Sequence, residues 1–105
     1  MSVLTLLALR SLNEQEGGGD EIFFKFADNG GSGTGKSSVF GGMDTGDYRS
    51  ISGSFSFTGS VKVTMYEDDT FSDDFIQSHN LSTPGYHTMI FEEPGVKYAL
   101  DYHIW

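Results

Sequence analysis

Apolar and polar residues alternate with a period of two along much of the chain. Ile22, Phe24 and Phe26 alternate with Phe23 and Lys25. Phe55 and Phe57 alternate with Ser54, Ser56 and Thr58, and Val61, Val63 and Met65 with Lys62 and Thr64. Tyr98, Leu100, Tyr102 and Ile104 alternate with Lys97, Ala99, Asp101 and His103. Such alternation sends one set of side chains to a core face and predicts half-buried strands. The opening Met1 to Leu12 alternates more loosely and reads as the first strand. Weaker strands are expected at Ser37 to Phe40, Asp47 to Ser52 and Tyr86 to Phe91. No window carries helical periodicity. Gly17-Gly18-Gly19, Asn29-Gly30-Gly31, Gly41-Gly42, Thr58-Gly59, Pro84-Gly85 and Pro94-Gly95 punctuate the runs as turns. The pattern predicts an all-β fold, an antiparallel β-sandwich of about eight strands, as one domain over residues 1–105. Ile22, Phe24, Phe26, Val61, Val63, Met65, Leu100 and Ile104 are its expected core.

Composition sharpens this picture. Apolar residues make up 37% of the chain, a modest share, but nine Phe and five Tyr bury much area per residue. The formal charge of −9 argues against unaided binding to nucleic acid, which needs clustered Lys and Arg. There is no Cys, hence no disulfide and no thiolate ligand or nucleophile. The first residues lack the basic stretch and small-residue cleavage site of a signal peptide, and nothing approaches the ~20 apolar residues of a transmembrane helix. A cytoplasmic setting is slightly favoured.

Gly30-Gly31-Ser32-Gly33-Thr34-Gly35-Lys36-Ser37 matches the phosphate-loop expression. That loop works only between a buried strand and a helix whose N-terminus holds phosphate. Ser38-Val39-Phe40-Gly41-Gly42 is no helix former, so a Gly/Ser-rich hairpin loop is expected. Catalysis has little support. His79, His87 and His103 are scattered, and His79 is expected on a loop or the surface. No catalytic residue is assigned, and the protein is read as a non-enzyme.

The acidic residues are the informative ones. Glu67, Asp68, Asp69, Asp73 and Asp74 put five carboxylates into eight residues after an alternating strand. A second cluster holds Glu14, Glu16, Asp20 and Glu21. Such crowding is unfavourable unless positive charge sits among it. Ca²⁺ favours flexible, oxygen-rich, multiply anionic sites of this kind. Solvated acidic loops are the simpler alternative.

Glu67-x-Asp69-Thr70-Phe71-Ser72-x-Asp74-Phe75-Ile76, preceded by Val61-Lys62-Val63-Thr64-Met65-Tyr66, resembles the third calcium-binding loop of C2 domains. Glu14 and Asp20, six residues apart before Ile22-Phe23-Phe24, resemble the two acids of the first loop. Glu stands at 14 and 67 where Asp is usual, Gln77 where Gly is usual, and no Lys-rich strand is present. The resemblance implies a C2-like, calcium-binding β-sandwich. Its ligands would be Glu14, Asp20, Glu67, Asp69 and Asp74, with Asp68 and Asp73 as alternates. Phe71, among these carboxylates, is the candidate partner-binding residue. The loaded loops would face an anionic lipid, protein or glycan. The rival expectation is a structural or interaction sandwich without a metal site, such as a carbohydrate-binding module or assembly subunit. Glycan binding calls for an exposed aromatic platform, for which Trp105 is the one Trp available.

Overall fold

The computed structural model describes residues 1–13, 20–68 and 73–105, and Asp20 by its backbone alone. Ten strands follow one another: β1 (Ser2–Asn13), β2 (Asp20–Asp28), β3 (Thr34–Lys36), β4 (Phe40–Met43), β5 (Tyr48–Ser50), β6 (Ser54–Phe57), β7 (Val61–Glu67), β8 (Asp74–Leu81), β9 (Gly85–Glu93) and β10 (Val96–Ile104). They build two antiparallel sheets. The first has the order β5-β1-β10-β9, with β6 also on β1; the second has β3-β2-β7-β8, with β4 also on β2. Among the described residues there is no helix, so none is long and apolar enough to cross a membrane.

The observed strands exceed the eight expected: Ser37 to Phe40 falls mostly between β3 and β4, and β3 and β8 have no expected counterpart. β5 and β6 run along successive parts of β1, opposite Ala8–Arg10 and Ser2–Thr5. β3 and β4 do the same along β2. Each edge is one broken line, so the sandwich has eight lines. At the break in the β3–β4 edge, the Ser37 hydroxyl accepts from Phe24 N at 2.8 Å, and Ser37 N donates to Phe24 O at 2.8 Å. Residues Gly30 to Gly42 form a turn, β3 and the start of β4, with no helix to complete a phosphate loop.

The expected alternation builds the core. Ile22, Phe24, Val61, Val63, Met65 and Leu100 are fully buried, Phe26 and Ile104 nearly so. Leu4, Leu6 and Leu9 meet them from β1, Met43, Phe57, Phe91 and Tyr98 from elsewhere. Full burial of one such side chain stabilises by about 1.5–3 kcal/mol.

Strand β8 has no clear alternation in its sequence, for two reasons. Its register with β7 shifts between Met65 and Tyr66, which brings adjacent Ile76 and Gln77 to the bend. Two of its positions facing the other sheet's edge are polar. His79, expected on a loop or the surface, is half-buried in β8 with its ring 4.8 Å from that of Phe91. Its Nε2 donates to Ile90 O at 2.7 Å, while Gln77 Oε1 accepts from Glu92 N at 2.9 Å. Side chains thus span the gap between β8 and β9, where no ladder joins the sheets.

One end is latched by Asp28, the last residue of β2. Its Oδ1 accepts from Gly30 N at 2.9 Å and from Thr58 N at 3.0 Å, tying the β2–β3 turn to the β6–β7 turn. The approach is so close that a Cβ on Gly30 would fall 2.0 Å from the Thr58 carbonyl oxygen.

Candidate functional site

The opposite end gathers the acidic loops. Ile22 lies opposite Glu67 across the β2–β7 ladder, and Glu67 lies opposite Asp74 across β7–β8. Asp68 N donates to Glu21 O at 2.8 Å, extending the β2–β7 contact past the strand end. The backbone of Asp20 therefore starts β2 at the end where β7 delivers Glu67 and Asp68, and where β8 begins at Asp74. Directly opposed residues on antiparallel strands have Cα atoms about 4.5–5.5 Å apart and point to one face. Glu67 and Asp74 are such a pair, two like charges side by side.

Their environments differ. Glu67 is 8% exposed, at the rim of the core. Asp68 is half-buried, and Asp73 and Asp74 are exposed. Glu14, Asp69 and Phe71 lie outside the described residues, as does the side chain of Asp20. Among the described residues, no three acidic or His side chains form a metal-binding group. The described carboxylates at this end are hard oxygen donors, the class Ca²⁺ accepts.

Two further features carried little sequence signal. Met43 pairs with Asp20 and Tyr48 with Arg10, so the β4–β5 loop holding Asp44 and Asp47 sits at this same end. Asp-Thr-Gly-Asp reads simply as turn chemistry, and it does make a turn: Asp47 Oδ2 accepts from Asp44 N at 3.0 Å. Arg49 then donates to the carbonyls of Gly41 and Gly42, fastening the crossover between the sheets. Among the described residues, every Asp and Glu except Asp28 and Asp101 lies at or beside this end.

The second feature is basic. No strand is Lys-rich, yet Lys25, Lys36 and Lys62 come from three strands to one outer face. They line a recess of about 500 Å³ with Thr34, Gly35 and Thr64. Aromatic faces carry two of them: Lys36 Nζ lies 4.4 Å from the Phe23 ring and Lys25 Nζ 4.8 Å from that of Tyr66. Phe23 points outward yet is fully buried, stacked on Tyr66 at 5.3 Å.

No protein-family profile matches the chain, and no curated protein matches it in sequence. Solved structures do match. One described as the structure of a C2 domain superposes with a TM-score of 0.65 at 19% identity, covering 98% of this chain and 96% of that one. CC2D1B, described as coordinating ESCRT-III activity during mitotic reformation of the nuclear envelope, gives 0.64 at 15% identity. That match covers 98% of this chain and 53% of that one. Human GIVD cytosolic phospholipase A2, in complex with methyl gamma-linolenyl fluorophosphonate and terbium chloride, gives 0.62 at 12%. There the chain covers 17% of the larger protein. At these identities the likeness shows the fold, a C2-like β-sandwich.

Proposed function

We propose that this C2-like domain is a non-enzymatic calcium-binding module whose acidic end, once loaded, docks an anionic partner. One observation carries the reading: the ladder register sets Glu67 directly against Asp74, beside the start of β2 at Asp20. Like charges in direct opposition destabilise a sheet, and a divalent cation relieves them. Glu67, Asp74 and Asp68 would supply oxygens from this end, and Glu14, Asp20, Asp69 and Asp73 complete the candidate set. Bound Ca²⁺ would neutralise the loops and offer open coordination positions to an anionic group. The lysine-lined recess on the outer face supports an anionic partner in a protein whose net charge is −9.

Calorimetric titration with Ca²⁺, and separately with Mg²⁺, tests the binding. Saturable Ca²⁺ binding should raise the unfolding free energy by about 2.7 kcal/mol at a hundredfold excess over Kd, because only the native state holds the site. Equal, weak responses to both ions would leave solvated acidic loops as the reading. Vesicles of anionic lipid test the docking: binding should need Ca²⁺ and weaken with salt, since attraction between charges is screened. Calcium-loaded protein that ignores them would direct the search to a protein or glycan partner.

A further inference from the structure

The outer face of the first sheet carries a strip of aromatic rings far from the acidic loops. Tyr86 on β9 and His103 on β10 are register partners, and Trp105 follows β10. The His103 ring lies between the other two, its centroid 4.3 Å from Tyr86 and 4.1 Å from Trp105. Tyr86 and Trp105 remain 74% and 68% exposed. These are the largest exposures of any aromatic residue among those described. The strip is held in place at its Trp105 end. Trp105 N donates to Val3 O at 3.0 Å, and its Nε1 donates to Thr5 Oγ1 at 3.1 Å. The indole N–H is thus engaged by the protein, and its exposed surface is apolar.

Beside Tyr86 lies a recess of about 370 Å³, lined also by Leu7, His87, Thr88, Asp101 and Tyr102. Its polar groups are organised. Thr88 Oγ1 donates to Asp101 Oδ1 at 2.5 Å, so the carboxylate is oriented and its second oxygen can accept from a ligand. His87 Nε2 donates to the carbonyls of Thr83 and Pro84, at 2.9 and 3.1 Å, which fixes its ring.

We propose that this strip and recess bind a neutral saccharide. A pyranose ring has an apolar C–H face and a rim of hydroxyls. The first matches a fixed, exposed aromatic surface, and the second matches Asp101 and Thr88. Ligand sites of this kind combine aromatic lining with a few convergent polar groups. Fixed rings bind with little loss of side-chain freedom. Two alternatives fit less well. Asp101 and the overall charge of −9 repel an anionic ligand. An alkylammonium group needs open ring faces around it, and His103, in contact with both neighbours, fills the space between Tyr86 and Trp105.

The test uses the whole chain, whose one Trp makes its fluorescence a direct reporter of the strip. Cellohexaose, xylohexaose and mannohexaose are titrated in calcium and in chelator, with choline chloride as the cationic probe. At least one oligosaccharide should shift Trp105 emission saturably and equally in both buffers, keeping this site separate from the acidic end. Tyr86→Ala and Asp101→Asn should each weaken that binding at least about tenfold. Tyr86 is exposed, so its variant should fold, and circular dichroism checks this. The proposal fails if no oligosaccharide gives a saturable response up to ~10 mM. It fails equally if choline alone does so, or if Tyr86→Ala binds as tightly as the wild type.

Discussion

The two ends of the sandwich use the same side chain in opposite ways. At one end a single carboxylate, Asp28, accepts from two backbone amides and joins two turns. At the other, Glu67, Asp68, Asp73 and Asp74 come together, and the nearby cations stand beside other acids of the same end. Arg49 caps the carbonyls of Gly41 and Gly42 and lies 4.0 Å from Asp47, and Lys97 sits 3.9 Å from Glu92. A carboxylate whose charge is met by fixed N–H groups contributes to stability in the protein alone. One that faces another carboxylate across a ladder, as Glu67 faces Asp74, gains stability from an arriving cation. The first end behaves as structure; on the proposed reading, the second is completed by its cation.

That contrast can be broken by substitution. Asp28→Ala removes two hydrogen bonds to a charged acceptor and should cost about 3 kcal/mol in urea denaturation, with or without calcium. Gly30→Ala pushes a methyl group against the Thr58 carbonyl and should cost about 2 kcal/mol, likewise independent of calcium. A near-neutral result for either would mean the latch is ornamental. Asp74→Asn at the other end should do the reverse. It should weaken Ca²⁺ binding at least tenfold, about 1.4 kcal/mol. In chelator its stability should change by less than about 0.5 kcal/mol, or rise as repulsion with Glu67 is relieved. A loss in chelator as large as that of Asp28→Ala would erase the distinction between the ends.

The smallest effect concerns Tyr102, in the core close to the latched end. Burial raises its phenol above the ordinary value by disfavouring the charged form. Its native-state proton is therefore held more tightly than in the unfolded chain. Its contribution to stability is complete below the unfolded phenol value of about 10 and is lost as pH rises through the native value. Denaturation at pH ~8 and ~11 should reveal that decline, and Tyr102→Phe should reduce it.

Much of the fold was legible because strict alternation survives wherever one face is buried. Phe24, Val63 and Leu100 announce the core by spacing alone. Strand β8 was not legible, since its bend and the inward polar pair Gln77 and His79 hide the period. The lysine face was missed for a different reason. Lys25, Lys36 and Lys62 are separated in sequence and meet only through ladder register. The acidic loops were legible as clusters of carboxylates, and the register explains how their strands bring Glu67 and Asp74 together. Trp105 is the one indole of the sequence, but its partners Tyr86 and His103 follow from the pairing of β9 with β10. Composition alone does not give that pairing.

The side-chain bridge between β8 and β9 also bears on how the molecule behaves in a crowd. An open edge strand offers its amides and carbonyls to any extended chain that drifts past, which is how sheets grow into filaments. Here Ile90 O and Glu92 N, two of the groups such a visitor would seek, are already occupied by His79 and Gln77. The other edges are broken into strands of three or four residues, too short to template an incoming chain. Two polar side chains that blurred the strand in the sequence thus help keep concentrated copies of this protein apart.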